Sequence, residues 1–90
     1  MMKSQVFESQ LFKRKRKGLN RQEISSLDSE VQLLMKSPEM GEGKRGEYEG
    51  VYIHRFKGRQ KMLIVAYEVG DRDISLLTLG EMKLRPDNLR

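Results

Sequence analysis

Residues 51–69, VYIHRFKGRQKMLIVAYEV, decide the fold. In the first seven, Tyr52, His54 and Phe56 alternate with Val51, Ile53, Arg55 and Lys57, the period of two that a strand imposes on its side chains. KGRQ at 57–60 is a turn, with Gly58 free to take positive φ. KMLIVAYEV at 61–69 is then a nearly continuous apolar run, the pattern of a central strand covered on much of both faces. GDRD at 70–73 turns the chain again, and ISLLTLG at 74–80 reads as the third strand of a meander. Tyr52, His54 and Phe56 belong to the core face, so His54 reads as a structural imidazole and Tyr67 as a core or rim residue.

Upstream the period changes. Ile24, Leu27, Val31 and Leu34 are spaced 3, 4 and 3 and fall on one stripe of a helix. Asn20 is its N-cap and Glu23, three residues on, completes the spacing of a capping box. Residues before proline avoid helical angles, so the spacing predicts a helix from Arg21 to Lys36, ending before Pro38. Residues 8–17 form a shorter helix with Phe7, Leu11 and Phe12 on one side, closed by Gly18 in a left-handed conformation. KSQVF at 3–7 is a short edge strand or a lead-in. PEMGEGKRGEYEG at 38–50 is a loop, and EMKLRPDNLR at 81–90 reads as irregular. The expected fold is α+β: an N-terminal helical hairpin packed on one face of a three- to four-stranded antiparallel sheet, in one domain of 90 residues.

The charge pattern points to an acidic partner. Lys13, Arg14, Lys15, Arg16 and Lys17 are consecutive, and without these five the remaining cations equal the 13 anions, so this run matches the whole net charge of +5. Successive helical residues turn through about 100°, so the five cannot share one face. They read as the solvated side of the first helix, with a phosphate grip or an acidic protein segment as the functional reading. The absence of cysteine and the single histidine exclude disulfides, thiolate catalysis and multi-histidine metal sites. No apolar stretch is long enough to cross a membrane, and MMKSQVFESQ lacks the apolar centre of a signal peptide. The expected location is the cytoplasm.

FKRKRKGLN, ISSLDSEVQLLMKSPEMGEGKRG, YEGVYIHRFKGRQKMLIVAYEV and ISLLTLG follow one another over most of the chain. In this order and spacing they resemble the RelE/ParE family of toxins from bacterial type II toxin–antitoxin modules. The resemblance implies helices on one side of a twisted sheet, a basic concave face on the other, and an antitoxin that wraps the toxin. RelE-like members cleave mRNA in the ribosomal decoding site, whereas ParE-like members inhibit DNA gyrase.

A metal-free ribonuclease needs groups that activate a 2′-hydroxyl, stabilise the phosphorane and protonate the leaving oxygen. For an mRNA endoribonuclease the resemblance implies Arg55, Lys57 and Arg85 as catalytic or phosphate-contacting residues. Lys13, Arg14, Lys15, Arg16, Lys17, Lys61 and Lys83 would then contact mRNA or ribosomal RNA, with no metal and no small-molecule cofactor. Two departures stand beside it. Ile64 occupies a position where many members carry arginine, and no His or Tyr follows Gly80. A ParE-like gyrase inhibitor and a degenerate toxin that retains only antitoxin binding therefore remain as alternatives.

Overall fold

The computed structural model describes residues 3–58 and 61–83, with Lys83 described by its backbone. The order is β1 (Gln5–Glu8), α1 (Gln10–Lys17), α2 (Arg21–Lys36), β2 (Glu42–Gly43), β3 (Val51–Lys57), β4 (Lys61–Val69) and β5 (Asp73–Lys83). Short 3-10 turns at Pro38–Met40 and Gly46–Tyr48 flank β2. The α+β class stands, but the sheet is five-stranded and mixed, in the order β1-β5-β4-β3-β2. β1 precedes the helices and pairs parallel with β5, Gln5 opposite Asp73 and Glu8 opposite Leu76. The remaining pairings are antiparallel.

The helices form where the sequence punctuates them. Ser9 caps α1, its Oγ accepting from the Phe12 N–H at 3.0 Å. At α2 the capping box is complete: Asn20 Oδ1 accepts from the Glu23 N–H at 2.8 Å, and Glu23 Oε1 accepts from the Asn20 N–H at 3.0 Å. Two details differ from expectation. Gly18 closes α1 with φ −80°, because its N–H still reaches the Lys15 carbonyl, and needs no left-handed backbone. Phe12 alone of α1 is buried, whereas Phe7 and Leu11 are exposed.

The core lies between the helices and one sheet face. Phe12, Leu27 and Leu34 meet Phe56, Leu63, Val65, Tyr67, Ile74, Leu76 and Leu79. A bulge in β5 between the partners of Ala66 and Tyr67 leaves Leu77 as an extra residue. It lets Leu76 and Leu79, three positions apart, both turn inward. The Leu77 carbonyl accepts from Ser9 Oγ at 2.5 Å, which docks the start of α1 on β5. β5 continues to Lys83, past the expected end at Gly80, because its ladder with β4 runs on to the Lys61–Lys83 pair.

Tyr67 pins the loop after α2. Its hydroxyl donates to the Pro38 carbonyl at 2.6 Å and accepts from the Gly41 N–H at 3.0 Å. The ring is fully buried and stacks on Tyr52 at 5.5 Å. A side chain at Gly41 would run into this hydroxyl and ring. Tyr67→Phe leaves both loop groups without their partner, and we expect a cost of about 1–3 kcal/mol. Gly41→Ala should cost a similar amount through overpacking, about 1–3 kcal/mol. In thermal denaturation either variant should melt several degrees lower; an unchanged midpoint would show that the loop is not held from Tyr67.

Candidate functional site

Strand register assigns every sheet residue to a face. Tyr52, His54 and Phe56 stand opposite Tyr67, Val65 and Leu63 on the helix-covered face. Val51, Ile53, Arg55 and Lys57 stand opposite Glu68, Ala66, Ile64 and Met62 on the open face. β5 adds Thr78, Gly80 and Met82 there, and β1 adds Phe7. The open face is therefore apolar through its middle, with Ile53, Ile64 and Met62 half-buried and Met82 and Phe7 half exposed. Among the described residues, the basic concave face expected from the sequence is reduced to Arg55 and Lys57 at one end of β3. Arg55 Nη1 lies 3.2 Å from Glu42 Oε2 on β2, so part of its charge is already matched.

The remaining expected site residues differ in their surroundings. Lys13, Arg14, Lys15 and Lys17 are exposed on α1, as a solvated helix requires. Arg16 is not free: it holds both carboxylate oxygens of Asp28, at 2.9 and 3.1 Å, and lies 3.8 Å from Glu8. α1 sits on β5, whereas Arg55 and Lys57 lie two strands away on the other face, so the two basic groups do not converge. Lys83 ends β5 opposite Lys61 in the ladder. Arg85 lies outside the described residues.

Lys61 is the clearest correction. It was expected to contact RNA, but it shares the helix-covered face with Leu63 and Val65 and is held between two carboxylates. Its Nζ is 2.9 Å from Glu23 Oε2 and in contact with Glu81 Oε2. Glu23 is 6% exposed, a burial that an ionised carboxylate tolerates only when fully partnered. The Asn20 N–H and then the Lys61 ammonium hold the Glu23 carboxyl below its ordinary pKa, against burial, which pushes it up. Glu81 and then Glu23 hold the Lys61 ammonium above its ordinary value, again against burial. Both side chains thus stay charged over the neutral range, and Lys61 has little left to offer a phosphate.

One further pair has no local signature in the sequence. The His54 Nε2–H donates to Glu30 Oε1 at 2.7 Å, beneath α2. The histidine side chain is 11% exposed, which fits its expected place on the helix-covered face. Glu30 lies four positions after Ser26 and one before Val31 of the apolar stripe, and nothing in its local pattern announces a partner on β3. Beside it, a groove between α2 and the outer side of β3 is lined by Ser25, Ser29, Glu30, Arg55 and Lys57. Among the described residues no helix is long and apolar enough to cross a membrane.

Comparison with known proteins bears on this arrangement. The family model for the ParE-like toxin of type II bacterial toxin–antitoxin systems matches residues 6–83. The fold superposes on the intact RelBE toxin–antitoxin complex of Escherichia coli with a TM-score of 0.72 and 12% identity, over 93% of this chain and 100% of that one. The RelBE2 complex of Mycobacterium tuberculosis gives 0.72 and 14% identity, over 91% and 100%. The isolated E. coli RelE toxin gives 0.71 and 11%, over 97% and 90%. At such identities the likeness is one of fold. Among curated proteins, none matches the sequence.

The Glu23–Lys61 link makes two measurable statements. Lys61→Met leaves a buried carboxylate without its cation and should cost up to about 3–5 kcal/mol in urea unfolding, with no effect on binding to a nucleic acid. The pH dependence follows from the directions of the two shifts. Glu23 stays ionised to lower pH in the folded chain, so its contribution is full above about pH 4.5 and is lost as pH falls through its lowered folded value. Lys61 is the mirror case: its contribution is full below about pH 10.5 and is lost as pH rises through its raised folded value. Glu23→Gln should therefore flatten the fall in stability on the acid side; an equally steep fall in the variant would rule out Glu23 as its source.

Proposed function

The chain belongs to the ParE-like toxin family of type II bacterial toxin–antitoxin systems, and on that premise we propose that it is the toxin of such a module and acts by binding its target. The observation that carries this reading is the chemistry of the open sheet face. Ile53, Ile64, Met62 and Met82 share the sheet face on which the RelE-like resemblance implies acid–base groups and phosphate ligands. An apolar face of this kind suits burial against a protein. A target such as DNA gyrase fits the ParE side of the family better than mRNA on the ribosome does. The protein works in the cytoplasm, where a cognate antitoxin covers it until it is released.

One observation favours a second reading, a ribosome-dependent mRNA endoribonuclease. Arg55 and Lys57 are neighbours on one face, and four exposed cations line α1. They offer phosphate contacts for mRNA and ribosomal RNA. In that reading Arg85 joins Arg55 and Lys57, and no cofactor is required.

Controlled expression in bacteria separates the two. We expect growth arrest, relieved by the product of an adjacent antitoxin gene, with no new ends on a translated reporter mRNA mapped by primer extension. Cuts that appear on the translated message and vanish when its start codon is removed would establish the nuclease instead, and Arg55→Ala should then abolish them. Neither arrest nor cuts would leave a chain that has kept antitoxin binding alone.

A further inference from the structure

The open sheet face is built from four cross-strand rows, and its charges are sorted by row. Residues directly opposite one another in a sheet point to the same side. Glu68 and Phe7 flank Ser75 in the first row. Glu42, Ala66 and Thr78 lie in the second, joined through Ile53. Arg55, Ile64 and Gly80 make the third, and Lys57, Met62 and Met82 the fourth. Two further charges lie at the first row's end of the face. Asp73 stands opposite Gln5 at one edge, and Lys44 continues β2 at the other, its N–H donating to the Val51 carbonyl at 2.8 Å.

Among the described residues, one half of the face thus holds the carboxylates of Glu42, Glu68 and Asp73 against the single cation of Lys44. The other half holds Arg55 and Lys57 and no carboxylate. The face is neutral in sum, although the chain carries +5, and it is polarised along its strands. An acidic half repels a nucleic acid laid along the strands. A surface with the same pattern, turned end for end, complements it.

We propose that this face packs against the same face of a second copy of the chain, about a two-fold axis that runs across the strands between the second and third rows. The first row then covers the fourth row of the second copy, and the second row covers the third. Glu68 comes over the row that ends in Lys57 of the second copy, and Glu42 over the row that ends in Arg55. Ala66 meets Ile64, small against large, and Thr78 meets Gly80, above which a side chain finds nothing within 4 Å. Phe7 and Met82, 53% and 50% exposed, cover each other at one edge. An axis along the strands would instead set cations at the same end as cations, so charge selects the first arrangement. α1 lies on the far side of each copy, and its cations stay in solvent.

The patch measures roughly 20 Å along the strands and roughly 20 Å across them, at the low end of specific interfaces, so the dimer is a concentration-dependent one. It hides the face by which the chain is proposed to bind its target, so that only the monomer acts. That consequence, though not the contact itself, rests on the function proposed above.

Sedimentation equilibrium of the full chain, from about 5 to about 500 μM, tests the contact. The chain should pass from monomer to dimer and grow no further, because a two-fold contact closes on itself. Lys57 and Glu68 are both exposed, and Lys57→Glu or Glu68→Lys alone should weaken the dimer roughly tenfold or more. Mixed one to one, the two variants should dimerise again, since each like-charged contact becomes an opposite one in the mixed pair. Within one chain the rows of Lys57 and Glu68 are about 20 Å apart, so no intrachain bond can produce this recovery. Circular dichroism confirms that each variant is folded.

A chain that stays monomeric throughout, or assemblies that keep growing with concentration, would overturn the proposal. So would a dimer indifferent to both single reversals, or a mixture that fails to recover. Growth arrest is read separately. A dimer formed by a chain that arrests nothing sinks the toxin reading alone, and arrest by a chain that is monomeric at every concentration sinks this inference alone.

Discussion

The carboxylate of Glu23 is the point through which the helical layer and the sheet are tied together. One oxygen closes the capping box by accepting from the Asn20 N–H, and the other meets Lys61 at the start of β4. A capping glutamate ordinarily faces water and satisfies one amide. Here it is buried, which is tolerable only because the lysine is brought to it and shares its charge with Glu81 on β5. The start of α2, the start of β4 and the end of β5 are thereby held in one place.

At the other end of α2 the connection is made by uncharged groups. Tyr67 rises from β4 and binds both the Pro38 carbonyl and the Gly41 N–H, while burial pushes its phenol up and keeps it protonated to donate. Between these two anchors, Leu27 and Leu34 supply the apolar contact and His54 with Glu30 a further polar one. α2 is thus fixed at both ends and at its middle. The loop that carries β2 follows directly from Tyr67, so the placement of Glu42 beside Arg55 is a downstream consequence of a buried hydroxyl.

Most of this architecture was legible in residues that punctuate it. α2, β3 and β4 begin and end where Asn20, Pro38, Gly50, Gly58 and Gly70 place them, because capping, proline sterics and glycine turns act within a few residues. The parallel pairing of β1 with β5 joins residues almost seventy positions apart and has no local signature. The extension of β5 through Glu81 and Met82 follows its partner β4, since the three residues EMK are too few for their alternation to announce a strand. The site was less legible for the same reason. A lysine destined for a buried carboxylate and one destined for solvent look alike in sequence, so Lys61 and Arg16 were grouped with exposed cations. The apolar groups of the open face, by contrast, follow from the nearly continuous apolar run of 61–69, which sets such groups on both sides of β4, although the resemblance implied a basic face there.

The distribution of charge then explains why a basic chain need not have a basic sheet. Lys61, Arg16 and Arg55 each spend their charge on carboxylates within the chain: Glu23 and Glu81, Asp28, and Glu42. Lys13, Arg14, Lys15 and Lys17, exposed around α1, make no such pair among the described residues. An excess of positive charge left on one short helix, at the edge of the sheet where β1 stops, acts locally, because in salt its reach is limited to about 8–10 Å. It therefore influences what approaches α1 and β5 far more than what approaches the open face. Two surfaces of different chemistry result, an apolar one on the sheet and a cationic one around α1.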